Sequence, residues 1–128
     1  MKLRTTRNSI RIRIRKSELE LLSKEGLVEE SVNFGNQIMF KFGLTIHSNI
    51  EQTVANLKDN YLNISLPSEL ANQWINSNRV GIEINHPISE NEQLHLLIEK
   101  DFPCAHRPEE DKSDTFTELA AENQPNCP

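Results

Sequence analysis

Alternating apolar and polar positions near the N-terminus predict a β-hairpin with one apolar and one basic face. Residues 7–19 read RNSIRIRIRKSEL, with isoleucine at positions 10, 12 and 14 and arginine at positions 11, 13 and 15. Because successive side chains of a strand point to opposite faces, the isoleucines share one face and the arginines the other. Asn8 tolerates a left-handed backbone and supplies the turn after KLRTTR. Two strands joined at Asn8 are therefore expected.

The stretch after this hairpin predicts a short amphipathic helix. Ser17 is a candidate N-cap, and Glu20 follows three residues later, as in a capping box. Leu19 and Leu22 are three residues apart and share one helix face. Gly26 suits the left-handed position that commonly ends a helix. A helix is therefore expected between Ser17 and Gly26.

The order of elements recurs about 52 residues later, which indicates an internal repeat. After the first helix, residues 27–34 and 37–47 have the composition of two strands on either side of the turn GN. The second half offers a turn at Asp59-Asn60, an alternating strand over 62–66, an N-cap at Ser68, and strands over 79–85 and 94–102. Across the repeat, Asn8, Ile10, Ile12 and Ile14 correspond to Asn60, Leu62, Ile64 and Leu66. Each half therefore reads as strand–strand–helix–strand–strand.

The size of one repeat indicates that the two halves pack together. The repeats 2–47 and 54–102 hold about 45 residues each, and few chains of that size bury enough apolar surface alone. Pairing also covers open strand edges. The expected fold class is α+β, mainly antiparallel β, with two ββαββ halves closed into a pseudo-two-fold barrel. Residues 1–102 then form a single domain, an intramolecular pseudo-dimer.

Charge is distributed unevenly along the chain. The net charge is −5, yet seven of the fourteen basic residues lie in the first sixteen positions, without an acid among them. Residues 99–122 carry eight acids against three bases. The overall negative charge argues against a protein that coats nucleic acids without sequence specificity. The basic N-terminal hairpin is therefore the candidate for any specific contact with an anionic partner.

The C-terminal residues 103–128 predict a flexible acidic tail that contains several prolines. Phe116 and Leu119 form one weak apolar stretch at helical spacing. Residues 107–128 could bind a basic protein partner and fold on contact. Alternatively, the tail solubilises the chain or covers the arginines of its own domain.

The sequence resembles the AbrB and MazE class of bacterial DNA-binding proteins, which have a swapped-hairpin fold. In that class a basic strand leads to GNS, an alternating strand ends in IP, and a helix and a hairpin follow. The matching text is RNSIRIRIRKSEL in the first half and DNYLNISLPSEL in the second, within residues 2–46 and 54–102. Arg7 and Asp59 stand where the class has glycine. The resemblance implies a barrel of interleaved hairpins, for which this chain supplies both subunits, and the acidic tail resembles that of an antitoxin.

A second resemblance covers the whole chain. It is similar to a family of small uncharacterised bacterial proteins that begin with KLR and contain EKDF followed by a cysteine. This resemblance implies no activity.

The swapped-hairpin resemblance implies that the N-terminal hairpin binds duplex DNA. The arginines of the basic strand recur at roughly 6–7 Å, twice the rise per residue. That spacing is close to the repeat of phosphates along a DNA strand, and guanidinium groups bind phosphate oxygens in pairs. The candidate nucleic-acid-binding residues are Arg4, Asn8, Ser9, Arg11, Arg13 and Arg15.

Two observations favour a different role for these arginines. Glu29 and Glu30 could pair with them across the sheet, in which case the arginines are ordinary surface charges. The second half also has Asn63 and Ser65 in place of arginines. A DNA-binding protein with two-fold symmetry needs positive charge on both of its halves, because the two half-sites of the DNA mirror the symmetry of the protein.

Signatures of metal sites and of catalysis are weak. Cys104 and His106 form a C-x-H pair and are weak metal candidates, because zinc sites usually need two close pairs. No phosphate-binding glycine loop, GxSxG or HExxH occurs. We therefore expect no enzymatic activity, no cofactor and no metal.

The remaining features predict a cytoplasmic protein that does not enter membranes. No apolar run is long enough for a bilayer, and the basic N-terminus lacks the apolar region of a signal peptide. We expect a monomer that is a pseudo-dimer, or a weak homo-oligomer. The expected function is a non-enzymatic binding module, DNA-binding or antitoxin-like. The alternatives are a protein-interaction module acting through the acidic tail, and a small metal- or ligand-binding protein.

Overall fold

The computed structural model describes residues 1–102 and 113–120, which form eight strands, two α-helices and one 3₁₀ turn. The strands are β1 (Lys2–Thr6), β2 (Ser9–Ile14), β3 (Leu27–Asn33), β4 (Met39–His47), β5 (Val54–Lys58), β6 (Tyr61–Pro67), β7 (Gly81–Pro87) and β8 (Gln93–Lys100). The helices are α1 (Lys16–Glu25) and α2 (Ser68–Ile75), and the 3₁₀ turn is Thr117–Leu119. None of these helices is long and apolar enough to cross a membrane. The predicted α+β class, mostly β, is confirmed.

The strands form two separate four-stranded sheets. The first sheet has the order β1-β2-β8-β7 and the second has the order β3-β4-β6-β5. The two central strands of each sheet are parallel, and the outer pairs are antiparallel. Each outer strand pairs on one side only among the described residues, so neither sheet closes on itself. The predicted closed barrel is therefore wrong, because a barrel requires that no strand be left with an edge.

The parallel pairs connect the first repeat of the chain with the second. In the first sheet, Ile12 of β2 is in register with Ile98 of β8. In the second sheet, Leu44 of β4 is in register with Ile64 of β6. Each sheet thus combines one hairpin from the first half of the chain with one from the second half.

The chain divides into two compact units, and each has its own buried apolar residues. Unit 1 comprises residues 1–17 and 78–128, and unit 2 comprises residues 18–77. The fully buried large side chains of unit 1 are Ile12, Ile14, Ile82, Leu96, Ile98 and Phe102. Those of unit 2 are Leu22, Leu44, Ile64, Leu66 and Trp74. The predicted single domain over residues 1–102 stays a prediction.

The turns follow the sequence-based expectations. Asn8 has a φ of 52°, and Asp59 and Asn60 have φ values of 51° and 63°. These left-handed conformations suit asparagine and aspartate in two-residue hairpin connections. Gly26 has a φ of 77°, and its N–H donates to the Leu22 carbonyl at 2.8 Å, which ends α1 as predicted.

The predicted helix caps are wrong, by two residues for Ser17 in α1 and by one for Ser68 in α2. Helix α1 begins at Lys16, so Ser17 lies within its first turn. The Ser17 N–H donates to Asp114 Oδ1 at 3.1 Å, and the Ser17 hydroxyl donates to Asp114 Oδ2 at 2.5 Å. A carboxylate accepts hydrogen bonds from helix N-terminal amides more strongly than a hydroxyl does, so Asp114 takes the capping role. Helix α2 begins at Ser68 after Pro67, without a side-chain cap.

Part of the predicted tail packs onto unit 1. Phe116 and Leu119 are buried, and the Phe116 N–H donates to the Asp101 carbonyl at 2.8 Å. Lys100 Nζ lies 5.6 Å from the centroid of the Phe116 ring. Burial lowers the pKa of Lys100, while the negative charge of Glu118 opposes that shift. Residues 113–120 therefore form part of unit 1, and the rest of the predicted tail lies outside the described residues.

Candidate functional site

The basic strand β2 is neutralised by the strand beside it. Arg13 of β2 is in register with Glu99 of β8. Arg11 Nε and Arg13 Nε both donate to Glu99 Oε1, each at 2.7 Å. Arg13 is only 4% exposed and Glu99 is also 4% exposed. Because one carboxylate oxygen accepts from two guanidinium groups away from water, these charges form a buried network rather than a free basic surface.

A second carboxylate and an aromatic ring complete this network. Asp101 Oδ2 lies 3.2 Å from Lys2 Nζ, and Asp101 Oδ1 lies 3.6 Å from Arg13 Nη1. The Arg13 guanidinium carbon lies 4.6 Å from the centroid of the Phe102 ring, within the range of a cation–π interaction. Arg13 Nη2 is buried and makes no hydrogen bond within the described residues. These partners therefore offset only part of the free energy that is lost when the charge of Arg13 is removed from water.

A carboxylate outside the predicted pair binds two of these arginines. Glu29 was expected to face the arginines together with Glu30, but both lie on β3 in the second sheet. Glu29 instead accepts a hydrogen bond from the Tyr61 hydroxyl at 2.6 Å. Arg11 and Arg13 meet Glu99 because β2 pairs with β8 in the first sheet, and a contact between the arginines and Glu30 stays a prediction.

The predicted turn residues of the hairpin also have partners on the second hairpin of the first sheet. Asn8 Nδ2 donates to Glu92 Oε2 at 3.0 Å. Ser9 Oγ and His95 Nδ1 are 3.1 Å apart, and His95 Nε2 and Glu83 Oε1 are 2.7 Å apart. This chain of contacts links β2, β8 and β7 side by side. Asn8 and Ser9 therefore connect strands within the first sheet.

The other candidate residues lie at the rim of the first sheet. Arg4 is exposed on the edge strand β1, in register with Arg11. Arg15 is exposed just after β2 ends, and Arg7 is exposed in the hairpin turn. The structure thus brings Arg11 and Arg13 together at Glu99 and leaves the other arginines at the surface.

The largest exposed apolar side chains gather in unit 2, a feature that the sequence analysis missed. Eight of the nine exposed large hydrophobic residues among the described residues belong to unit 2. Five of them lie on β3, β4 and the turn between these strands, and we call them the hairpin patch: Leu27, Val32, Phe34, Ile38 and Met39. The signal was present in the sequence, because Phe34 and Ile38 flank the turn GN, where polar residues are usual.

A groove of about 860 Å³ lies beside the hairpin patch. Leu27, Ile38 and Met39 contribute apolar lining, and Glu29 and Tyr61 contribute polar groups. Sites for ligands and peptides commonly combine apolar walls with a few polar groups. The groove and the patch together form the candidate binding surface of unit 2.

The Tyr61–Glu29 contact on this surface predicts an alkaline titration that can be observed directly. Burial, the hydrogen bond to Glu29 and the negative charge of Glu29 raise the pKa of Tyr61 to about 12. Tyr61 is the only tyrosine, so the tyrosinate absorbance reports on it alone. We expect the tyrosinate titration of the unchanged chain to have its midpoint near pH 12. In Glu29→Gln, we expect a lower midpoint that is still above the ordinary 10, because Tyr61 remains partly buried.

The sign of the pH effect on stability follows from the same shift. The folded chain keeps the Tyr61 proton, which the unfolded chain releases near pH 10. The contribution of this proton to the free energy of unfolding is therefore complete below pH 10 and is lost towards pH 12. Trp74 fluorescence during the titration shows whether the fold persists. A tyrosinate midpoint near 10 in the intact protein would contradict the assigned contact.

The weak metal candidates cannot be placed in this geometry. Cys104 and His106 lie outside the described residues. Within residues 1–102 and 113–120, no group of three or more His, Cys, Asp or Glu side chains is arranged to hold a metal ion.

The two units differ in charge as well as in surface. Residues 18–77 contain eight acidic residues, three lysines and no arginine. Their formal net charge of −5 equals that of the whole chain. The candidate surface of unit 2 therefore lies in an acidic unit, which favours partners that carry positive charge.

Comparison with known proteins yields a family without an assigned activity. Neither the curated proteins nor the solved structures contain a match to this chain. Residues 1–119 match the model of a family of unknown function, DUF7009, and the chain therefore belongs to that family.

Proposed function

We propose that this chain is a non-enzymatic binding module of the AbrB/MazE-like swapped-hairpin class, and that its hairpin patch binds a protein partner. The strand orders support the swapped-hairpin relation. In each sheet, a hairpin from one half of the chain pairs through a central parallel contact with a hairpin from the other half. The partner class is argued from the surface of unit 2.

The observation that carries this proposal is the exposure of the hairpin patch. Phe34 is 68% exposed and Ile38 is 51% exposed at the tip of the β3–β4 hairpin. Contiguous exposed apolar side chains mark sites of protein association, since a soluble chain gains nothing by keeping them in water. The neighbouring groove supplies the polar groups that fix a partner's orientation.

Selection of peptides from a random phage-displayed library tests this proposal. The purified chain is the bait, and the double variant Phe34→Ser with Ile38→Ser is the comparison. We expect peptides that bind the unchanged chain and lose about tenfold or more in affinity for the double variant, because both side chains lie in the patch. Circular dichroism confirms that the variant is folded.

The chain offers a matched control at the tip of the other hairpin. The Ile88 N–H donates to the Glu92 carbonyl at 2.9 Å, as the Phe34 N–H donates to the Ile38 carbonyl at 2.9 Å. Ile88 is also exposed, but it belongs to unit 1. Ile88→Ser should leave peptide binding unchanged. Selected peptides that bind the double variant Phe34→Ser with Ile38→Ser as tightly as the unchanged chain would overturn the proposal. A library that yields no binding peptide would also overturn it.

Binding of duplex DNA is a second candidate, favoured by the exposed Arg4 and Arg7 of the first hairpin. It ranks below protein binding because Arg11 and Arg13 are already paired with Glu99. We expect any DNA affinity to be weak, strongly salt-dependent and reduced in the double variant Arg4→Ala with Arg7→Ala. Fluorescence anisotropy of a labelled duplex at low salt measures it, and no detectable binding rejects this candidate.

A further inference from the structure

Strand β3 is an edge strand whose only charged residues are two acids, Glu29 and Glu30. Natural edges are commonly blocked by lysine, other inserted charges or proline. Edge strand β1 carries Lys2 and Arg4, β5 carries Lys58, and β7 ends with Pro87. The seven residues of β3 read LVEESVN and contain no lysine, arginine or proline. Among the edges in the described residues, β3 therefore favours an added strand that carries positive charge.

The hydrogen bonds at the two ends of β3 show which backbone groups face its open edge. The Ile46 N–H donates to the Gly26 carbonyl at 2.9 Å, and the Phe34 N–H donates to the Ile38 carbonyl at 2.9 Å. In an antiparallel ladder, hydrogen-bonded pairs alternate with non-bonded pairs. The even-numbered residues of β3 thus bond towards β4. The N–H and C=O groups that point away from β4 belong to Leu27, Glu29, Ser31 and Asn33.

The side chains along this edge define the partner's chemistry. Leu27, Val32 and the adjoining Phe34 are exposed apolar residues. Glu29 is exposed and shares one face of β3 with Leu27, while Val32 and Phe34 lie on the other face, and its carboxylate accepts from the Tyr61 hydroxyl. The residue in register with Glu29 on β4 is Gly43, which has no side chain to offer a cation. Lys41, in register with Ser31, shares that face of the sheet and lines the same groove, whereas β3 itself carries two acids and no base.

We infer that β3 binds an extended peptide segment as a fifth strand of the second sheet, and that this segment carries arginine or lysine opposite Glu29 between apolar residues. Main-chain hydrogen bonds to the open edge supply affinity, and the side chains supply specificity, as in other cases of strand addition. This inference rests on the proposed protein-binding function and adds the binding mode and the chemistry of the partner.

The test uses two labelled synthetic peptides of about nine residues that alternate valine and threonine. One has arginine at its centre and the other has glutamate. Binding to the full chain is followed by fluorescence anisotropy. We expect the arginine peptide to bind about tenfold more tightly than the glutamate peptide, because opposite charges across a strand pair attract and like charges repel.

A proline substitution tests the backbone contact itself. Ser31→Pro removes an N–H that points to the open edge and leaves the hydrogen bonds to β4 in place, a position where proline is tolerated. Ser31→Ala keeps the N–H and is the matched control. We expect Ser31→Pro to weaken the arginine peptide by about tenfold or more, and Ser31→Ala to leave it unchanged. Circular dichroism verifies that both variants are folded.

The outcomes separate this inference from the function on which it rests. Equal binding of the two peptides, unchanged binding to Ser31→Pro, or no binding of either peptide would each overturn strand addition at β3. If the library selection still yields peptides whose binding depends on Phe34 and Ile38, the proposed protein-binding function stands without strand addition at β3. If that selection also fails, both proposals are rejected.

Discussion

Replacing Glu99 with alanine is expected to lower the free energy of unfolding by about 3–5 kcal/mol. Glu99 Oε1 accepts from the guanidinium groups of both Arg11 and Arg13, and its side chain is 5% exposed. Removing this carboxylate leaves Arg13 buried, with only the 3.6 Å contact to Asp101 as a counter-charge. An unpaired charge away from water is among the most destabilising changes in a protein, and small domains are stable by only about 5–15 kcal/mol.

Urea unfolding followed by far-UV circular dichroism measures this loss, because this signal reports on both units, whereas Glu99 lies in unit 1 and Trp74 in unit 2. Glu83→Ala is the matched control. Glu83 also contacts a basic group, His95, but its side chain is 64% exposed, so we expect little change in stability. If Glu99→Ala proves no more destabilising than Glu83→Ala, the network at Glu99 is not buried as described.

Replacing Trp74 with alanine is expected to cost about 3–5 kcal/mol. Trp74 is fully buried on α2, and this helix packs on β6 and β4 of the second sheet. Alanine leaves a cavity that the surrounding side chains fill only partly, because protein interiors are closely packed.

Far-UV circular dichroism during urea unfolding measures the loss, because the variant lacks the fluorescent reporter. Trp74→Phe retains an aromatic ring and should cost less than Trp74→Ala. Leu21→Ala is the surface control, since Leu21 is an exposed apolar residue of α1, and should change stability by only about 0.5 kcal/mol. A cost for Trp74→Ala no larger than that for Leu21→Ala would show that α2 does not pack on the sheet through Trp74.

Local signals in the sequence were sufficient to place strands and turns. Ile12 and Ile14 are fully buried, as their alternation with arginine predicts. Asn8 and Asp59 adopt the left-handed conformation expected of hairpin turns. These features depend on side-chain direction and backbone preference within a few residues, which is the range over which sequence patterns are informative.

The environment of the arginines could not be predicted from such signals. Alternation assigns Arg13 to the polar face of β2, yet it is buried there by Glu99 and Phe102. Arg13 and Glu99 are 86 residues apart, and their contact depends on the parallel pairing of β2 with β8. Nothing near Arg13 in the sequence specifies that pairing. For the same reason, Ser17 was predicted to cap α1, although Asp114 supplies the acceptor.

The hairpin patch shows how far the internal repeat constrains the surface. Phe34 and Ile88 lie at equivalent hairpin tips, but the strand beside Phe34 adds further exposed apolar residues, Leu27 and Val32. A repeat preserves the positions that form the core and the turns, whereas surface residues are free to diverge. The order of strands and helices could therefore be inferred from the matched positions of the two halves, and the binding surface could not.

The parallel pairing of β2 with β8 has a consequence for how the chain reaches its native state. The first sheet cannot be completed until β8 has been synthesised, so the arginine strand emerges from the ribosome long before the carboxylates that neutralise it. Contacts between such distant segments slow folding, because a long loop must close before they form. During translation, the exposed basic strand is therefore open to anionic surfaces until Glu99 has neutralised it.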